Sequence, residues 1–342
     1  AKRDRAAAIS LLQGDAPALV TARQLLESGK AIPGAVSSAP AGVAEFLVRI
    51  ALDLHAQKID QLALTYARLA TFLAPENSET WLVTSELLAG QGQQQEAIRV
   101  LANIRPDDPF ASSAADARVR LLVLSGNKDA ALAEAEAASR APGASVGNWS
   151  RLGDIYTELG RHEDAARAYG QALEALKQGG TGQAEWALWL LRGGALEQAD
   201  KWPEAKAALQ QAYKLAPDQP LVLNYLGYAQ LERRENIEEA MSLIVKANTL
   251  QPDNHAITDS LGWAHYLRGN LRSAIELLEK AAAGEPADPA INEHLGDAYY
   301  SAGRRFEARY AWEAALLNAE EADASRIRAK IETGLTPKLA AP

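Results

Sequence analysis

A small residue returns eight times in this 342-residue chain, followed seven positions on by a second small residue in seven of the eight, and that recurrence limits the fold more than any other feature. The first member of each pair is Ala63, Ala97, Ala131, Ala165, Ala205, Ala240, Ala274 and Ala308, and the second is Ala70, Ile104, Ala138, Ala172, Ala212, Ala247, Ala281 and Ala315. Seven residues is close to two helical turns, so each pair marks one face of one helix. Most steps between copies are 34 residues. Alanine is common here and an isolated match says little, but eight in register say a great deal. Twelve or thirteen residues upstream lies another small residue, as at Ala51, Gly193, Gly227 and Gly262, and a proline follows at Pro75, Pro217, Pro252 and Pro286. The pattern reads helix, turn, helix, stop. Glycine or alanine on the first helix and the alanine pair on the second let the two axes approach closely. Proline ends the second helix, because it lacks an amide donor and disfavours helical geometry just before it.

Composition narrows the classes that remain. The chain is 48% hydrophobic and 23% charged, with a mean hydropathy of -0.20, enough apolar surface for an extended core. No apolar stretch approaches the roughly 20 residues that cross a bilayer. A net charge of -9 argues against nucleic acid as a partner. Without cysteine there is no disulfide, thiolate nucleophile or Cys-ligated metal, and the compartment stays open. The first residue is Ala1, the single methionine is Met241, and Ala1-Lys2-Arg3-Asp4-Arg5 leads into no long apolar run. The expectation is that a leader or anchor has been removed by processing or cloning.

The phrases Asp259-Ser260-Leu261-Gly262-Trp263-Ala264, Glu293-His294-Leu295-Gly296-Asp297-Ala298-Tyr299 and Leu152-Gly153 with Trp149 and Tyr156, set in that 34-residue period, resemble the tetratricopeptide-repeat family. The likeness covers roughly residues 44–320. It implies an all-α fold, an α-solenoid wound as a right-handed superhelix of about eight stacked helix-turn-helix units with a C-terminal capping helix. Arg118 stands where the family has an apolar residue, so the first helix of the third copy departs most. The expected organisation is a helical pair and loop over 1–43 (a partial repeat), repeats one to four over 44–176, and a Gly-rich insertion at 177–183. Repeats five to eight follow over 184–320, then a capping helix and frayed tail over 321–342. The insertion reads as a tolerated surface loop, with a hinge between halves as the alternative.

A search for chemistry finds none. Gly143-Ala144-Ser145-Val146-Gly147 matches the nucleophile-elbow pattern, but an elbow needs a strand before the serine, and the preceding segment reads as a helix. Asn148-Trp149-Ser150 fits a glycosylation acceptor only by coincidence with the repeat register. No phosphate-cradling glycine loop is present. The histidines, His55, His162, His255, His265 and His294, never fall four apart as paired metal ligands. His265 takes a position that is a core tyrosine in the family and reads as packed and satisfied. Neither a catalytic residue, a metal nor a cofactor is expected, and the chain does not read as an enzyme.

What remains is binding. The resemblance implies that first helices line a concave groove holding an extended peptide or a partner helix. The stripe at i, i+4 and i+7 carries Asn224, Tyr228 and Leu231 in the sixth copy, Asp259, Trp263 and Tyr266 in the seventh, and Glu293, Asp297 and Tyr300 in the eighth. Aromatic and acidic residues there point to a partner presenting Lys or Arg, whose backbone Asn224 would bond. The family's carboxylate clamp of Lys, Asn and Arg is not matched. The expected function is a protein-interaction scaffold or adaptor with a protein or peptide partner, recruiting an enzyme such as a bacterial envelope protease. The alternative is a solenoid that assembles with itself as a homo-oligomer. The alanine-rich phrases resemble bacterial family members, which favours a periplasmic or outer-membrane-associated setting over the cytoplasm.

Overall fold

The computed structural model describes residues 2–14, 17–34, 36, 38–141, 144–179 and 184–341. Among the described residues there are nineteen α-helices and no strand. They form two compact units, 1–201 and 202–342. The first holds α1 (Lys2–Leu11), α2 (Pro17–Glu27), α3 (Ala39–Ala56), α4 (Asp60–Leu73), α5 (Ser78–Gly90), α6 (Gln94–Leu101), α7 (Ala111–Leu124), α8 (Lys128–Arg140), α9 (Val146–Glu158), α10 (His162–Lys177) and α11 (Glu185–Gln198). The second holds α12 (Trp202–Leu215), α13 (Pro220–Glu232), α14 (Ile237–Leu250), α15 (His255–Leu267), α16 (Leu271–Gly284), α17 (Pro289–Ser301), α18 (Arg305–Asn318) and α19 (Glu321–Thr333). The division falls inside the fifth copy. The Gly-rich stretch lies within the first unit, and its residues 180–183 are outside the described ones.

Seven copies become helix pairs, α3/α4, α5/α6, α7/α8 and α9/α10 in the first unit and α13/α14, α15/α16 and α17/α18 in the second, and the chain is an all-α solenoid of such pairs; the two helices of the fifth copy, α11 and α12, fall in different units. The eight leading alanines, Ala63 to Ala308, are all 0% exposed, so the contact seams run where the small residues fall. The register loosens in two places. In the second copy α6 ends at Leu101, so Ile104 is buried beyond the helix rather than on it. In the third, Ala138 is only half-buried and Ser139 takes the interior position. The departing residue Arg118 does not break α7, and its guanidinium lies 3.6 Å from Glu134 on α8. In the second copy Ser85 stands at the small site of the first helix and donates its hydroxyl to the Ala97 carbonyl (3.0 Å).

The turns inside the pairs repeat as strictly as the seams. Each holds a residue of positive φ, in the series Lys58, Gly92, Gly126, Gly160, Asp200, Arg234, Gly269 and Gly303, and the sixth turn holds a second, Asn236. Reversing the chain in so few residues puts that position in the left-handed region, which glycine adopts freely and which strains other residues. Among the described residues six helix starts, those of α3, α5, α8, α9, α15 and α17, carry side-chain caps. Asn254 accepts from the Ile257 amide (3.1 Å), Asp288 from that of Ile291 (2.9 Å), and Ser145 from that of Asn148 (3.2 Å). Ser145 and Asn148 form a full capping box. This gives the serine of the elbow-like pattern a structural task; Gly143 of that pattern is outside the described residues.

At the C-terminal end α19 lies over α18 and buries Ala324, Ile327 and Lys330. The expectation of a frayed tail is corrected. After Gly334 the chain turns, with the Leu339 and Ala340 amides donating to the Thr336 carbonyl (2.9 and 3.1 Å). It ends its described course with Ala341 buried in the apolar cluster of Leu231, Ile244, Leu261 and Trp263.

Candidate binding groove

The stripe expected from sequence lies on α13, α15 and α17, all in the second unit. Caps at Asn254 and Asp288 set where α15 and α17 begin. Gly262 and Gly296 press a neighbouring face onto α16 and α18, where an added Cβ would fall 2.8 Å from Leu278 or overlap the Trp312 indole. With that face fixed, Asp259, Trp263 and Tyr266 form an adjacent stripe on α15, and Glu293, Asp297 and Tyr300 the equivalent stripe on α17.

These residues meet, though not as an open acidic surface. Trp263 is 1% exposed and lies between two rings, stacked on Tyr266 at 4.5 Å and on His294 at 4.2 Å between centroids. His294 Nδ1 is 3.0 Å from both carboxylate oxygens of Asp259. Glu293 accepts a fork from Arg326, Nε at 2.9 Å and Nη2 at 2.8 Å, together with Lys330 Nζ at 2.6 Å. Lys330 also donates to both oxygens of Asp297 at 2.8 Å, and Trp312 Nε1 donates to the same carboxylate at 2.9 Å. The last donor to Asp297 is the backbone amide of Ala341, at 2.8 Å. The expectation that the acidic residues wait for a partner's Lys or Arg is therefore corrected: three carboxylates are met in the same chain by Arg326, Lys330 and His294.

The electrostatics follow from burial set against these contacts. Burial works to neutralise His294, yet Asp259, with Asp297 and Glu293 behind it, holds the imidazole above its ordinary value. Burial raises Glu293, but Arg326 and Lys330 outweigh it and leave the carboxyl below its usual range. For Asp297 burial wins, and its carboxyl stays above the usual range despite Lys330.

The remaining stripe residues divide. Tyr300 is taken up structurally: Arg305 stacks over it at 4.5 Å and donates to its hydroxyl (2.7 Å), and Gly334 passes so close that a Cβ there would overlap the phenol. Tyr266 shares a hydrogen bond with Ser301 (3.1 Å). Tyr228 is half-buried, its ring 6.5 Å from His294. Two polar atoms on the stripe have no hydrogen-bond partner among the described residues, the Asn224 side-chain carbonyl and Trp263 Nε1. His265 is half-buried as expected but not satisfied, since its Nδ1 is also unpartnered.

Sequence reasoning missed Arg326, Lys330, His294 and Ala341. The spacing of Arg326 and Lys330, four apart on a helix after the last repeat, was the available signal. In the first unit a cleft of about 400 Å³ opens between α5 and α7, lined by Leu82, Ser85, Glu86, Ala117, Arg120 and Leu124. No orphaned buried polar atom lies among those side chains, so the second-unit stripe is the stronger site.

A family model for the tetratricopeptide repeat matches residues 117–181, 152–220, 190–255 and 260–330. Those matches take in more than half of the sequence, and the chain belongs to the tetratricopeptide-repeat family. Copies one and two lie largely outside them and are defined by their helix pairs. No curated protein matches the sequence. Among solved structures, a tetratricopeptide repeat protein from Parabacteroides merdae is 14% identical with a TM-score of 0.62, over 76% of this chain and 99% of that one. A chain of the APC/C hetero-tetramer Cut9-Hcn1 is 17% identical with a TM-score of 0.57, over 81% of this chain. This chain spans about half of its length, 53%. At such identities the likeness is one of fold.

Proposed function

We propose that this chain is a non-catalytic scaffold that holds an extended segment of a partner protein along α13, α15 and α17. Stacked repeats of this family present extended surfaces for protein–protein interaction. The observation that carries the reading here is the pair of orphaned groups on neighbouring first helices, the Asn224 carbonyl and Trp263 Nε1. An unpaired buried polar atom is unfavourable by about 1–3 kcal/mol. A peptide backbone offers both the N–H and the C=O that would satisfy them. Half-buried Tyr228 beside them supplies contact area at low entropic cost. Recruitment of an enzyme, in a periplasmic or outer-membrane setting, is the cellular form of this proposal and rests on the resemblance of the Leu-Gly phrases.

The test is selection of peptides from a random displayed library on the wild-type chain. The selected peptides should lose at least tenfold in affinity on Asn224→Ala and Tyr228→Arg and keep it on Tyr310→Arg, whose side chain is 71% exposed on α18. Peptides that bind all three variants alike would refute the assignment. Trp263→Ala is a poor probe, because removing a fully buried indole damages the fold itself.

A further inference from the structure

The course of residues 334–341 is the feature of the second unit that the scaffold reading does not explain. Gly334 takes φ 87° and passes against Tyr300, where no side chain would fit. Leu335 packs into the cluster of Trp312, Ile327 and Ile331. The turn at Thr336 then delivers Ala341 to the stripe, 8% exposed, with its amide on Asp297. Its methyl joins the cluster that includes Trp263, Leu231 and half-buried Tyr228, residues on two of the three first helices of the groove. A backbone N–H given to a stripe carboxylate and a small apolar side chain set among stripe aromatics are the contacts expected of a bound peptide. Here they are made by the chain itself. The fit is also incomplete, since the Asn224 carbonyl and Trp263 Nε1 remain without partners while this segment is in place.

Charge says what else the site accepts. Arg326 and Lys330 of α19 and His294 of α17 already answer Asp259, Glu293 and Asp297, and the seated residue, Ala341, is uncharged. An incoming cation would find no free carboxylate and an incoming anion no free cation, so an uncharged residue is favoured at the position of Ala341. We propose that residues 334–341 are a built-in competitor for the groove, displaced by an extended partner segment that places a small, uncharged residue where Ala341 sits. The proposal rests on the groove reading above and adds to it the occupant of the free chain and the chemistry of its rival.

The experiment uses the full chain and, as probe, a fluorescein-labelled peptide with the sequence of residues 334–342, Gly-Leu-Thr-Pro-Lys-Leu-Ala-Ala-Pro. Ala341→Asp sets a second carboxylate beside Asp297 and expels the segment, and Leu339→Asp does so from outside the buried contact. Because the chain has no cysteine, Lys338→Cys carries a single nitroxide whose mobility reports release in each background. The released variants should bind the peptide at least tenfold more tightly than the wild type, with a mobile label at position 338. Equal binding by wild type and released variants overturns the competitor while leaving a peptide groove intact. Binding by none of them, with the label mobile, overturns it too, and the library selection then judges the groove independently.

Discussion

His294 on α17 sets its Nδ1 3.0 Å from both carboxylate oxygens of Asp259 on α15, joining the first helices of neighbouring repeats through a fully buried pair. Asp297 and Glu293 on α17 also act on the imidazole, and Arg326 and Lys330 of α19 reach those two carboxylates. The folded pKa is raised, so the proton is held more tightly in the folded state. Stability from this pair is complete below the unfolded value of about 6.5 and is lost as pH rises through the higher folded value. The unfolding midpoint of wild type should therefore fall relative to His294→Gln as pH rises from about 6.5 through the folded value. Guanidinium titrations followed by tryptophan fluorescence would show it. A constant difference across that range would mean that the pair is not charged. Glu293, held low, acts in the opposite direction: its contribution is present above its unfolded value and disappears as pH falls through the folded one.

Lys330 is 0% exposed and bonded to two carboxylates, so it is an obligatory countercharge. Lys330→Met should destabilise the second unit by about 3–5 kcal/mol, the usual penalty for removing one member of a buried ion pair. Replacing the acids as well, in Lys330→Met with Glu293→Gln and Asp297→Asn, should recover most of that loss, because no uncompensated charge stays buried. If the triple variant melts no higher than the single one, the lysine acts through its packing and not its charge.

The turn series gives a prediction of opposite signs at equivalent positions. Gly269 has φ +78 and open space around it, so Gly269→Ala tests backbone strain alone and should be destabilising by about 1 kcal/mol. Arg234 holds the same place in the sixth pair at φ 52. Arg234→Gly should stabilise by up to about 1 kcal/mol, with relief of strain partly offset by the freer unfolded chain. Thermal melts decide it, and a stabilising Gly269→Ala would show that the turns do not hold the left-handed form in solution.

Much of the fold was readable because its determinants are local and repeated. The buried faces of Ala63 through Ala308 and the pairing of helices within seven of the eight copies follow from residue size at fixed spacing. The left-handed series was half-visible as Gly92, Gly126, Gly160, Gly269 and Gly303, and hidden where Lys58, Asp200 and Arg234 take the same geometry. The site was readable as a stripe but not as a surface. Periodicity places Asp259, Trp263 and Asp297 on one side of their helices, yet what covers that side comes from residues after the last repeat, where no period operates. Arg326, Lys330 and Ala341 reach Glu293 and Asp297 across more than thirty positions of sequence. Only tertiary structure supplies that information.

One close seam ties stability to the stripe. A Cβ on Gly296 would overlap the indole of Trp312, which is 2% exposed and donates Nε1 to Asp297. Gly296→Ala must therefore push a buried ring, and overpacking of this kind is unfavourable by about 1–3 kcal/mol. Gly90, the last residue of α5, has nothing within 4 Å of its Cβ position and no positive φ, so Gly90→Ala should stabilise by up to about 1 kcal/mol through helix propensity. In Gly296→Ala the displaced indole also loosens a donor to Asp297, the carboxylate that holds the Ala341 amide, so exchange of that amide should speed up while Gly90→Ala leaves it unchanged. Melting curves with amide exchange at Ala341 read both effects. A destabilised Gly296→Ala with unaltered exchange would show that the seam and the groove are energetically separate.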